Sequence, residues 1–117
     1  MIDITTNNNT IFTVASGKLV ESDYEKLLPI VKELINKYGS VRWYFEMHDF
    51  EGWNLEAFWK DIKFDLSHAN DFERVAMVGE NGWHKAMTIL MKPFTKAEVK
   101  YFPLEDKDKA REWIEVE

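Results

Sequence analysis

The chain has 117 residues, 45% of them hydrophobic, 15% aromatic and 31% charged, which is enough apolar material for one core and far more than a disordered chain carries. Its 15 basic and 21 acidic residues give a formal charge of -6, so the mean field repels a phosphate backbone and argues against a nucleic-acid partner. No cysteine is present, which excludes disulfides, thiolate metal ligands and a cysteine nucleophile.

The first residues, MIDITTNNNT, have neither the basic start nor the apolar core of a signal peptide, and no apolar run approaches the roughly 20 residues that span a bilayer. A single cytoplasmic domain covering residues 1–117 is expected. Residues 2 to 5 and 10 to 16 read as two strands joined by Asn7, Asn8 and Asn9, a residue type that tolerates left-handed backbone. Ile11, Thr13 and Ala15 alternate with Phe12, Val14 and Ser16, so the second strand carries apolar groups on both faces and belongs inside a sheet.

Ser22 and Glu25 match a capping box, and Tyr24, Leu27, Leu28, Val31, Leu34, Ile35 and Tyr38 follow at helical spacing. Pro29 predicts a local kink in that helix, and Gly39 predicts its end. The strand VRWYFEM comes next, with Val41, Trp43, Phe45 and Met47 on the core face and Arg42, Tyr44, Glu46 and His48 on the other. HDFEGW reads as an acidic turn. A helix then places Leu55, Phe58, Trp59, Ile62 and Leu66 on one stripe behind Asn54 as N-cap. Phe64 falls off that stripe, beside Lys60 and Asp61, where a helix in water normally shows polar groups.

Arg74 to Val78 is an apolar strand of the kind covered on both sides, and Gly79 ends it. Asn81 opens a helix with Trp83, Ala86, Met87 and Leu90 inward, which Pro93 stops. Val99 to Phe102 is a last strand, and Pro103 and Asp106 introduce a C-terminal helix that turns Ala110, Trp113 and Ile114 inward. The order β-β-α-β-α-β-α-β-α implies an α/β fold: a mixed sheet of about five strands with an N-terminal hairpin and a mainly parallel centre.

Two groupings carry candidate chemistry. His48 and Asp49 stand at the carboxyl end of a central strand, where open α/β sheets hold ligands, and an imidazole oriented by a carboxylate suits acid–base work. A solvated turn is the plainer reading of that pair. His68 and His84 lack any recognised metal-ligand spacing, and Gly79 to Gly82 lacks a phosphate-loop signature, so neither a metal nor a cofactor is expected. The second grouping is Phe50, Trp53, Trp59 and Phe64, flanked by Lys60 and Lys63. Aromatic rings with lysine stems suit the boundary between apolar and polar surroundings.

G-K-L-x-x-x-D-Y at Gly17 to Tyr24, D-F-x-G-W at Asp49 to Trp53, W-K-D-I-K-F at Trp59 to Phe64, F-E-R-V-A at Phe72 to Ala76, and P-F followed by V-K-Y-F resemble the SpoIIAA-like family of small bacterial STAS-like proteins. The resemblance covers nearly the whole chain. It implies a STAS-like fold, also likened to the lipid-binding Sec14 or CRAL-TRIO fold, and a non-enzymatic role. Anti-sigma-factor antagonists of this kind carry a phosphorylatable serine in the turn after the third strand. Here that turn is HDFEGWN, without serine or threonine, so a phosphorylation-controlled role is not expected.

The expected function is a binding or regulatory module without catalytic residues, whose ligand surface consists of Asp49, Trp53, Phe58, Trp59, Lys63 and Phe64. An apolar small molecule or lipid, or peripheral contact with a membrane, is the leading partner. A protein partner or a homodimer through the same helix is the alternative, and an enzyme using His48 and Asp49 comes third.

Overall fold

The computed structural model describes residues 2–18, 20–52, 72–80 and 97–116. Strands β1 (Ile2–Asn7) and β2 (Thr10–Lys18) form the expected antiparallel hairpin. Asn8 adopts φ 54° in the turn, a left-handed conformation that its short polar side chain tolerates. β2 pairs in parallel with β3 (Val41–Gly52), β3 with β4 (Phe72–Gly79), and β4 with β5 (Glu98–Pro103). Sheet order follows chain order, β1-β2-β3-β4-β5. This is the five-stranded, mainly parallel α/β sheet with an N-terminal hairpin that the sequence predicts. The helices expected near residues 54–66 and 81–93 lie outside the described residues.

β3 departs from expectation at its carboxyl end. Residues 48–52 are not a turn, because β3 runs for 12 residues to Gly52. Pairing with β2 overrides the turn-forming composition of HDFEG: Gly17 sits opposite Phe50 and Lys18 opposite Gly52, across two register shifts. Gly17 adopts φ 64° there, so the glycine that reads as the end of β2 instead provides the irregularity that lets the pair continue.

Helix α1 (Glu21–Tyr38) starts one residue earlier than its expected cap. Val20 is the N-cap, and the Asp23 carboxylate accepts a 2.8 Å hydrogen bond from the Val20 N–H. The cap therefore uses Val20 and Asp23 in place of Ser22 and Glu25: an acid at the third helical position reaches back whatever the cap side chain is. α1 remains one helix through Pro29, and it ends at Gly39, whose φ is 83° and whose N–H donates to Ile35 O at 2.8 Å. Leu27, Val31 and Leu34 are buried at the expected spacing, each stabilising the fold by about 1.5–3 kcal/mol. Tyr38, expected on the same stripe, is 43% exposed.

The sheet has a core on each side. On the α1 side, Ile11, Val41, Trp43, Phe45, Met47, Val75 and Met77 form one cluster. Trp43 meets Phe45 edge-on at 5.2 Å, and its indole N–H donates to Thr13 Oγ1 at 3.0 Å. Helix α2 (Lys107–Glu115), preceded by a 3-10 turn at Leu104–Asp106, covers the opposite face. Ala110 and Ile114 are fully buried there against Tyr44, Ala76 and Val78, and Trp113 is half-buried against the same cluster. Alternation along β4 explains its doubly apolar sequence: Val75 and Met77 face one core, Ala76 and Val78 the other.

Two arginines fasten the end of α2 to the sheet. Arg42 Nη1 donates to Ile114 O at 3.0 Å and to Val116 O at 2.5 Å, while Arg74 Nη1 donates to Trp113 O at 3.0 Å and to Val116 O at 2.6 Å. Cations at a helix C-terminus satisfy its orphan carbonyls and complement its dipole. Arg42 is itself held by Glu73, at 2.9 Å.

Candidate functional site

β3 places Tyr44, Glu46 and His48 two residues apart, and so on one face. The face opposite the one that reads from sequence as core lies under α2, which leaves Tyr44 fully buried and Glu46 only 5% exposed. A carboxylate at such depth needs partners. The Tyr44 hydroxyl donates to Glu46 Oε1 at 2.5 Å, and His48 Nε2 binds Glu46 Oε2. Arg111 of α2 lies 5.3 Å from the Tyr44 ring centre and 5.6 Å from that of Phe12, and the two rings are 5.5 Å apart.

The electrostatics follow from this arrangement. Burial, the largest influence on Glu46, favours the neutral acid, yet the hydrogen bonds from Tyr44 and His48 and the charges of His48 and Lys107 outweigh it and hold the carboxyl below its usual range. Burial pushes the Tyr44 phenol well above its ordinary value, and donation to Glu46 pushes it further, against the opposing pull of Arg111. With Glu46 ionised and able only to accept, His48 Nε2 must carry the proton of their hydrogen bond. The other ring nitrogen, Nδ1, has no partner among the described residues, and the imidazole side chain is 41% exposed. The result is a buried carboxylate that orients a partly exposed imidazole near the carboxyl end of a central parallel strand. Such a group can meet a hydroxyl, carboxyl or amide of a ligand.

The sequence pairs His48 with Asp49, whereas in the structure the carboxylate partner of His48 is Glu46, on the same strand face. Asp49 lies on β3 with its side chain outside the described residues, and Trp53, Phe58, Trp59, Lys63 and Phe64 lie outside them entirely, as do His68 and His84. Among the described residues, no three His, Asp or Glu side chains gather as metal ligands, and no helix is long and apolar enough to cross a membrane. Tyr44 is the site residue that sequence reasoning passed over, and Glu46 is the one it considered only as a metal ligand beside His48 and Asp49 and not as the partner of His48. The signal was the period-2 alternation that already placed them beside His48, together with a C-terminal helix whose apolar stripe needed a face to cover.

A five-stranded, mainly parallel sheet led by a hairpin and covered on both faces defines a SpoIIAA-like α/β fold. The SpoIIAA-like family profile matches residues 10–115, and the chain belongs to that family. An uncharacterized protein of the DUF3478 family with a SpoIIAA-like fold, from Shewanella loihica PV-4, is 29% identical over 97% of this chain and 92% of its own, with a TM-score of 0.71. The anti-sigma factor antagonist SpoIIAA in its unphosphorylated form aligns over 96% of this chain and 97% of its own with a TM-score of 0.59. At 8% identity that second likeness concerns the fold alone. No functionally curated protein matches the sequence.

Proposed function

We propose that this SpoIIAA-like protein is a non-enzymatic binding or regulatory module of the cytoplasm that takes an acyl-type ligand, one apolar body with one polar head, at the carboxyl end of its sheet. The ligand is either free or presented by a membrane surface that the protein touches peripherally. Asp49, Trp53, Phe58, Trp59, Lys63 and Phe64 supply the surface for the body, and His48 meets the head. The observation that carries this reading is the Tyr44–Glu46–His48 chain, which leaves a partly exposed, oriented imidazole on the strand that leads directly into the aromatic segment. The off-stripe position of Phe64, flanked by lysines, supports the apolar half. HDFEGWN carries no hydroxyl group to phosphorylate, so occupancy by ligand is the form of control this reading allows.

Fatty-acid titration and liposome co-sedimentation test it with wild type, Phe64→Asp and His48→Ala. Wild type should bind at least one of the two materials. Phe64→Asp should lose most of that binding, because a carboxylate replaces an apolar anchor, and His48→Ala should weaken binding of a ligand with a polar head while sparing a plain hydrocarbon probe. Failure of wild type to bind either material ends the lipid reading.

A further inference from the structure

Tyr44, Glu46 and His48 form a chain of hydrogen bonds of which only the last member reaches the surface. Glu46 takes the Tyr44 hydroxyl on Oε1 and the His48 Nε2–H on Oε2. A carboxylate 5% exposed cannot exchange such a donor for water. Were Nε2 to give up its proton, two acceptors would face one another inside the protein, so every gain or loss of a proton by this imidazole falls on Nδ1. Nδ1 has no partner among the described residues, and it belongs to a side chain 41% exposed. The buried end of the chain thus fixes which nitrogen titrates, and the nitrogen that titrates is the one a ligand can reach.

The groups around it carry charge of both signs. From α2, the charges of Lys107 and Arg111 act on Glu46 and Tyr44 respectively, and Asp106, at the N-cap, lies 3.8 Å from Lys109. From β1, Asp3 stands level with Glu46 across Val14, and Glu80 directly follows β4. Ser16 of β2, opposite His48, is uncharged. The fold holds the Glu46 pKa below its usual range and that of Tyr44 above its own, so the first stays ionised and the second neutral near pH 7. Imidazole is the side-chain type whose charge changes between about pH 5 and 8. Among the described residues at this place, the charge that varies near neutrality is therefore that of His48.

We propose that His48 selects the head of the ligand by charge: the imidazolium donates from Nδ1 to a carboxylate, and the neutral ring accepts on Nδ1 from a hydroxyl. Binding of an acid to the neutral site takes up one proton from solvent at Nδ1, and the Glu46 carboxylate on the opposite nitrogen stabilises the cation that results. Binding of an alcohol takes up none, so the preference between the two heads shifts from acid to alcohol as pH rises. The selection rests on the reading in which His48 meets the head, and adds to it what that head is at each pH.

Nitrogen NMR of wild type from about pH 5 to about pH 9 should show His48 Nε2 protonated throughout, with Nδ1 alone titrating. A neutral ring that carries its proton on Nδ1 overturns the proposal. Octanoate and octanol, which share a body and differ in head, are then titrated calorimetrically at about pH 6 and about pH 8. Octanoate should bind about tenfold more weakly at the higher pH and take up about one proton there, measured in buffers of different ionisation heat. Octanol should bind as tightly or more tightly at the higher pH, with no proton taken up. His48→Gln keeps a polar side chain that does not titrate, and should abolish both pH dependences while octanol still binds. Two ligands with the same pH dependence, or a His48→Gln variant that keeps the octanoate slope, overturn the selection by charge and leave the binding reading standing. Failure of wild type to bind either ligand overturns both.

Discussion

Replacing Tyr44 by Phe isolates the interaction that keeps a charge inside this protein. The ring stays, so the 5.5 Å contact with Phe12 and the 5.3 Å contact with Arg111 are retained, and what disappears is one hydroxyl that donates to a carboxylate 5% exposed. A hydrogen bond to a charged group contributes about 1.5–3 kcal/mol, and a buried acceptor that loses its donor pays the desolvation cost as well. Urea unfolding followed by tryptophan fluorescence at neutral pH should therefore show a loss of about 1.5–3 kcal/mol. The sign of the pH dependence is fixed by the depressed Glu46 pKa. The stability it contributes is present above the ordinary glutamate value of 4.5 and is lost as pH falls through the lower folded value. The gap between wild type and Tyr44→Phe should accordingly narrow in acid. At the alkaline end the phenol of wild type has a folded pKa raised above 10.0, so its contribution is present below that pH and drains away above it at up to about 1.4 kcal/mol per pH unit. Tyr44→Phe should flatten that limb, leaving the smaller share from Tyr101, whose pKa is also raised by burial. A variant as stable as wild type at neutral pH, or a gap that ignores pH at both ends, would refute the account of Glu46 as a buried charge held by Tyr44.

Two further outcomes test the frame around the site. Ile114→Ala empties a fully buried position under α2 and should cost about 2–5 kcal/mol in urea unfolding; a loss under about 1 kcal/mol would mean that α2 is not a true cover for the sheet. Gly39→Ala meets no atom within 4 Å but must adopt φ 83°, so its cost should be conformational alone, about 1–2 kcal/mol, and the near-ultraviolet circular dichroism should stay that of wild type.

The elements most legible in the sequence were those in which local pattern and tertiary structure agree. Leu27, Val31 and Leu34 recur at helical spacing and are buried, Gly39 stops the helix, and the doubly apolar β4 is covered on both sides. Misreadings arose where pairing partners, invisible in one sequence, decide the outcome. HDFEG has turn composition, yet Gly17 and Lys18 of β2 hold it as strand, and tertiary pairing outweighs a preference that spans only about 1 kcal/mol. Tyr44 and Glu46 were placed opposite the core face, and nothing local says that Ala110 and Ile114, far along the chain, return to cover them. His48 was singled out for its chemistry, but its partner is two residues away along the strand, where only the alternation of side chains could point to it.

The sheet order β1-β2-β3-β4-β5 is also the order of synthesis. Each strand after β1, as it is made, finds its partner already present at the growing edge, and the hairpin can form before β3 is made. The face that carries Tyr44, Ala76 and Val78 is the exception, since Ala110 and Ile114 follow all five strands. During that interval an ionisable Glu46 and its neighbours stand in water, where the charge costs little. The same polar cluster that the finished fold must pair so carefully thus keeps an unfinished apolar surface from being wholly apolar, at the stage when exposed hydrophobic faces most readily aggregate.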